Sequence, residues 1–222
     1  MMVVARIGLA LSLLFVGECG TEPTDAGPGD SAAGSGRIQI RFEADEEDRP
    51  DGWELVSAHV ELDQVRLDND RGDGFEPAWT RPDGSPLGRT RLDEDPPEAE
   101  LRAVPATYGG VALISGDAPT LELVYRVEEA RVEVTSDAPF DIMTRCQGGG
   151  TSLQPGGSLT VEVRLDVGRL ARVLADDLTP PATGTVFVDA GRSEETLTRV
   201  EAELADAWIT RCEADDDDDD DD

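Results

Sequence analysis

The sequence predicts an all-β fold, an antiparallel β-sandwich of seven or more strands with one or two accessory helices. Three observations predict it. Apolar and polar residues alternate over many short runs, clusters of Gly, Pro and Asp separate those runs, and only two stretches place apolar residues at helical spacing. The apolar residues are clustered along the 222-residue chain, which predicts one ordered domain with appendages. No fixed internal period suggests a solenoid or propeller.

The first strand is "RIQIRFE", where Ile38, Ile40 and Phe42 alternate with polar neighbours. In "WELVSAHVELDQVRLD", Val56, Ala58, Val60 and Leu62 share a face, and Val65 and Leu67 continue it after a change of parity, so a bulge is expected near Asp63 and Gln64. "TLELVYRVEEARVEVT" reads as the same device: Leu121, Leu123, Tyr125 and Val127, then Ala130, Val132 and Val134. "LTVEVRLDV" and "TGTVFVD" alternate as well, and shorter strands are expected at 101–104, 111–114 and 140–144. "GRLARVLADD" reads as a short helix with Leu170, Val173 and Leu174 on one side. "SEETLTRVEAELADAWITRC" reads as a second, capped at Ser193, with Leu197, Val200, Leu204 and Trp208 at helical spacing and a place over an open end or face of the sheet. The Pro-rich stretch 80–100 is too long for a hairpin turn and reads as a functional or mobile loop.

Charge excludes several function classes. All 19 basic residues are arginine, and 49 acidic residues leave a net charge of -30. A chain this acidic repels nucleic acid and anionic headgroups at long range, so the partners to expect are cations, basic proteins or neutral ligands such as saccharides. Nine of the acids sit at Glu213 and Asp215–Asp222, in a tail (213–222) with nothing to bury; its role is solubilisation or capture of calcium or basic surfaces.

The chain opens "MMVVARIGLALSLLFVG", one arginine followed by an apolar run too short to span a bilayer, which predicts an export signal over residues 1–18. Residues 19–36, "CGTEPTDAGPGDSAAGSG", have the composition of a flexible tether. Together these residues resemble the start of a bacterial lipoprotein. Val16, Gly17 and Cys19 match the lipobox, while Glu18 stands where the family has a small residue. The resemblance implies that Cys19 carries a diacylglyceryl anchor. Gly20, in place of the aspartate that retains such proteins at the inner membrane, implies the outer membrane. Three cysteines are present, and an odd number in an exported chain leaves one to explain. With Cys19 acylated, Cys146 and Cys212 remain as a pair for one disulfide.

A second resemblance lies at "LRAVPATYGGVALI", which looks like the "LPAGTY" turn of secreted prealbumin-like and carbohydrate-binding-like bacterial β-sandwiches, with the usual Gly replaced. With "SAHVELDQVRLD" and "VRLDVGRL", residues 37–175 are similar to an uncharacterised sandwich domain of bacterial lipoproteins. The folded domain, with the second helix at its end, is expected to span 37–212, and the resemblance implies no particular activity.

Candidate sites are few. "LDNDRGDGFEPAW" gathers Asp68, Asn69, Asp70 and Asp73, which reads either as a polar hairpin connection or as a calcium loop, calcium being the one cofactor the composition admits. Arg71-Gly72-Asp73 is an adhesion tripeptide. His59, the single histidine, falls on the face opposite Ala58 and Val60, and no serine sits in a nucleophile elbow. Trp53, Trp79, Trp208 and Tyr108 are candidates for a sugar-stacking platform. The expectation is an exported, lipid-anchored envelope protein that binds a ligand or presents a surface and is not an enzyme. The alternatives are a calcium-dependent saccharide-binding or adhesion module and a small secreted hydrolase.

Overall fold

The computed structural model describes residues 35–72, 78–80, 87–93 and 97–215. The residues expected to form the export signal, the anchor (Cys19) and the tether before residue 35, together with Asp73 and residues 216–222, lie outside the described residues. Thirteen strands and two helices follow in chain order: β1 (Gly36–Asp45), β2 (Trp53–Asn69), β3 (Ala78–Trp79), β4 (Gly88–Arg91), β5 (Glu98–Ala103), β6 (Thr107–Ser115), β7 (Leu121–Val127), β8 (Glu129–Ser136), β9 (Asp141–Arg145), β10 (Thr151–Ser152), β11 (Ser158–Asp166), α1 (Val167–Asp177), β12 (Thr183–Val188), α2 (Glu194–Leu204) and β13 (Trp208–Asp215). The predicted class is the observed one, an all-β sandwich with two accessory helices. One sheet has the order β13-β11-β1-β5; the other has β10-β6-β2-β7-β8-β12, with β3 and β4 on β2 and β9 on β6. Two ladders inside this sandwich are parallel, β1 with β11 and β8 with β12.

The larger sheet is built on three long runs. β6 and β7 lie in line along one edge of β2, because Glu61 donates its N–H to the Thr120 carbonyl at 3.0 Å and accepts from the Gly116 N–H at 2.8 Å. β8 and β9 lie in line beside β7 and β6 in the same way. Along β2 the register shifts between Leu62 and Gln64, where the parity change predicts a bulge, and Val65 and Leu67 return to the core with no exposure. A second shift, between Leu55 and Ser57, turns Val56 outward to 42 % exposure, against the expectation that it faces inward.

The parity change after Val127 is a reversal of the chain, not a bulge. Val127 pairs with Ala130 across a two-residue turn in which Glu128 has φ 55°, a left-handed conformation usually given to glycine. A bulge and a two-residue turn shift the apolar pattern alike, and Glu128–Glu129 carries none of the residues that mark a turn.

Trp208 is also placed differently. α2 ends at Leu204, and Trp208 begins β13, which pairs with β11 over eight positions from Leu165↔Trp208 to Ser158↔Asp215. Cys212 therefore belongs to a strand, and ordered backbone continues three residues past the expected boundary at Cys212. Ser193 occupies the position before α2 with φ 64°, and its side chain makes no capping bond; the acids Glu194 and Glu195 fill the first turn.

Two seams join the sheets. At the first, Cys146, just past β9, forms a disulfide with Cys212 of β13, Cα to Cα 5.5 Å; the Gln147 N–H donates to the Thr210 carbonyl at 2.8 Å, and the Thr144 and Thr210 hydroxyls are hydrogen-bonded. At the second, the Leu92 N–H donates to the Ala58 carbonyl of one sheet at 2.9 Å, and the Leu92 carbonyl accepts from the Ala44 N–H of the other at 3.0 Å. Between them lies one core, with Ile38, Ile40, Val161, Val163 and Leu165 facing Val60, Leu62, Leu113, Leu123 and Val132. The chain passes between sheets at 104–106, where fully buried Tyr108 donates its hydroxyl hydrogen to the Val104 carbonyl at 2.9 Å.

The helices close one end. α1 is capped by Asp166, whose carboxylate accepts from the Arg169 N–H at 2.7 Å, and it buries Leu170, Ala171, Val173 and Leu174. Gly168 is required there, because a Cβ would stand 2.8 Å from the Arg49 backbone nitrogen. Tyr125 reaches through the core to donate to the Val167 carbonyl at 2.8 Å, with its ring edge-on to Trp53 at 5.6 Å.

The disulfide encloses a sequence separation of 66 residues, worth about 4 kcal/mol in the chain-entropy model. Cys146→Ala with Cys212→Ala is expected to lower unfolding free energy by about 2–4 kcal/mol in urea titrations of the oxidised protein against the double variant. Tyr125→Phe, which removes the cross-core bond to the Val167 carbonyl, is expected to cost about 0.5–1.5 kcal/mol by the same measurement.

Candidate functional site

Among the described residues, a cleft of about 350 Å³ lies beside the second seam, where β1 meets Leu92, Asp93 and the start of β5. Its floor includes Phe42 and Leu92, and its rim is a ladder of paired charges supplied by strands. Arg41, on β1, pairs with Glu98 of β5 at 3.3 Å, and the Gln39 amide donates to Glu98 at 3.2 Å. Arg164, on β11, lies between Glu43 at 3.3 Å and Glu162 at 3.0 Å. The parallel register of β1 and β11, with Arg41 beside Glu162 and Glu43 beside Arg164, sets this alternation of sign.

Asp93 is the most constrained carboxylate of the cleft, its side chain 11 % exposed. It accepts the Ala58 N–H at 2.8 Å and pairs with Arg91 at 2.9 Å. Burial by itself raises this carboxyl, but the hydrogen bonds from Arg91 and Ala58, with the Arg91 charge, outweigh it and hold Asp93 below the usual aspartate value. Asp93 is therefore ionised at neutral pH and acts as an acceptor. Rigid strands, an apolar floor and paired charges at the rim suit the cleft to holding a polar ligand.

The sequence-predicted residues are dispersed. Asp68 is exposed on β2. Asn69 is buried and turns its side-chain oxygen onto the Arg71 N–H at 2.9 Å. Asp70 exchanges bonds with Thr107, whose N–H donates to the Asp70 carboxylate at 2.9 Å while its carbonyl accepts the Asp70 N–H at 3.0 Å. Asn69 thus closes a local turn and Asp70 extends the β2–β6 ladder, so both side chains have structural partners. Among the described residues, no three His, Cys, Asp or Glu side chains gather as a metal site requires.

Of the proposed aromatic platform, Trp53, Trp208 and Tyr108 are core residues, at most 6 % exposed; Trp79 is half-buried with its ring 5.7 Å from Phe42. These four rings therefore form no common exposed face. His59 lies on the outer face of the larger sheet, between Arg91 and Glu122 in the ladders. Burial, and then the Arg89 charge, push its imidazole below the ordinary value against the opposing pull of Asp93 and Glu122.

The stretch 80–100, expected to be one loop, contains β4, the Leu92 seam and the start of β5. Sequence reading passed over Leu92, Arg91 and Asp93 because their partners, Ala44 and Ala58, are distant in the chain. The one local signal was "TRLD", two residues of alternation ending in an aspartate.

Comparison with protein-family models, curated proteins and solved structures gives no match to this chain. The geometry of the seams and the cleft is what bears on function. Among the described residues no helix is long and apolar enough to cross a membrane.

Both shifted groups act in one sense on stability. The lowered His59 value gives stability that is present above the unfolded value of about 6.5 and is lost as pH falls through the folded one. The lowered Asp93 value gives stability present above about 3.9 and lost as pH falls through its folded value. A proton-NMR titration of the single histidine is expected to have its midpoint below 6.5. In denaturant titrations at stepped pH, Asp93→Asn is expected to be less stable than the parent at pH 6, with the gap closing as pH is lowered below about 4.

Proposed function

We propose that this chain is an exported, lipid-anchored protein of the bacterial envelope whose β-sandwich binds a ligand or presents a surface. Residues 1–18 act as the export signal, Cys19 carries the acyl anchor, and residues 19–36 form the tether that lifts the sandwich off the outer membrane. The observation that carries the reading is the disulfide between Cys146 and Cys212, which accounts for two of three cysteines and leaves Cys19, behind an apolar run, as the odd one. A disulfide placed at a sheet-to-sheet seam suits an oxidising compartment, where it persists. The cleft beside the second seam supports binding, because it combines an apolar floor with charges fixed on strands.

The test is the intact mass of the native protein extracted from membranes. The expected mass is that of a chain beginning at Cys19, with a lipid adduct and the deficit of one disulfide. A chain beginning at Met1 or Met2, recovered from cytosol with three free thiols, overturns the reading. Cys19→Ala is expected to move the protein from the membrane fraction to the soluble fraction.

A further inference from the structure

β12 is the last strand of the larger sheet. β8 pairs with one of its edges, and among the described residues no strand pairs with the other. An open edge presents a row of backbone N–H and C=O groups to any extended chain, and folds normally guard such edges with charge, shortness or cover. The other edges here are guarded. β5 carries Glu98, Glu100 and Arg102; β4 carries Arg89 and Arg91 and runs into the Leu92 seam; β9 carries Asp141 and Arg145; β13 is locked to Cys146 and Gln147; β3 and β10 are two residues long. β12 has none of these guards. From Leu178 to Val188 the chain holds no ionisable side chain, although 31 % of all residues are charged. Pro180 and Pro181 limit the pairing surface to the six residues of the strand. Phe187 is 39 % exposed, with the Arg192 guanidinium 4.1 Å from its ring centre; Asp189 neutralises that arginine through bonds of 3.0 and 2.6 Å.

The surroundings select the occupant by charge. Glu129 stands opposite Thr183 in the ladder and follows Glu128, while Glu194 and Glu195 open α2 shortly after the Val188 end. All four are exposed, and among the described residues none is in an ion pair. Neighbouring acids that do have arginine partners, Glu133, Asp177 and Asp189, make the contrast plain. A neutral open edge with unpaired acids at both ends attracts a basic chain, and a second copy of this chain would set like charges against one another. We propose that the free edge of β12 takes up an extended basic segment of a partner protein as an added strand. Main-chain hydrogen bonds to residues 183–188 hold the segment, and its basic side chains are steered by Glu128, Glu129, Glu194 and Glu195. The proposal deepens the binding-module reading, rests on it, and names the class of partner.

The experiment uses the full-length mature protein in detergent and three synthetic ten-residue peptides, alternating Lys-Val, Lys-Pro and Glu-Val, with binding read by fluorescence anisotropy and by amide chemical-shift mapping. The acidic carboxyl-terminal run attracts the two basic peptides alike, so their difference reports strand pairing. Lys-Val is expected to bind at least about tenfold more tightly than Lys-Pro, which has too few N–H donors to pair, with the largest shifts at residues 183–188. Thr185→Lys, which sets a guarding positive charge at an exposed position of the strand, is expected to weaken Lys-Val binding while leaving the thermal midpoint unchanged. Equal binding of Lys-Val and Lys-Pro, or equal binding of Lys-Val and Glu-Val, overturns the proposal. Dimerisation without peptide, seen by sedimentation and abolished by Thr185→Lys, overturns it in favour of a second copy. Shifts confined to Arg41, Asp93 and Glu98 overturn it and leave the binding-module reading standing in the cleft.

Discussion

The fold depends on β13 serving two sheets at once. It completes the smaller sheet by pairing with β11 along its whole length, and through Cys212 and Thr210 it is fastened to the end of β9 in the larger one. A sandwich relies on side-chain packing to keep its sheets in register, and packing is non-directional. A covalent bond and two hydrogen bonds at one side, with Leu92 bonded to both sheets at the other, add direction to that packing. α2 then has little freedom: it must carry the chain from β12, alongside β8, to β13, alongside Cys146, both strands running in the same direction along the β8–β9 edge. The two helices thus occupy the end of the sandwich that this crossover has to pass.

The same constraint governs the charges. An acid excess of this size works against compaction, and the sequence answers it by placing arginines opposite acids on neighbouring strands, as in Arg41–Glu98, Arg126–Glu54 and Arg164–Glu43. Each pair is at least partly exposed and individually weak, since solvent and salt screen it. Their joint effect is to fix which surfaces are neutral. Among the described residues, the acids at the Glu128–Glu129 turn and at the start of α2 stand outside these ion pairs.

How much of this was legible follows from how local each cause is. Strand identity was legible because burial on one face imprints a period of two, and it named Ile38, Val60, Leu123 and Val132, all of which are core. The bulge at Leu62–Gln64 was legible for the same reason. The turn at Glu128 was not, because a reversal and a bulge shift the pattern alike and only a dihedral angle separates them. Trp208 continued a helical spacing by coincidence, since β13 also needs an apolar residue there to pack on Phe42 at 6.4 Å. The disulfide followed from arithmetic on three cysteines, but its meaning as a seam required knowing that Cys212 sits in a strand. The cleft was illegible: Asp93 is defined by Ala58 and Arg91, one of them 35 positions away, and no pattern in a single sequence links them.

An edge and a cleft offer different kinds of recognition. In the cleft, carboxylates and arginines already satisfy one another, so a ligand must replace existing pairs and gains selectivity more than affinity. At an open edge the backbone groups have only water as partner, and an added strand exchanges those bonds for directed ones without disturbing any ion pair. An acidic sandwich with its other edges guarded therefore concentrates its available binding energy at one strand. The seams make that economical, because a sheet held on both sides loses little further freedom when its last edge is occupied.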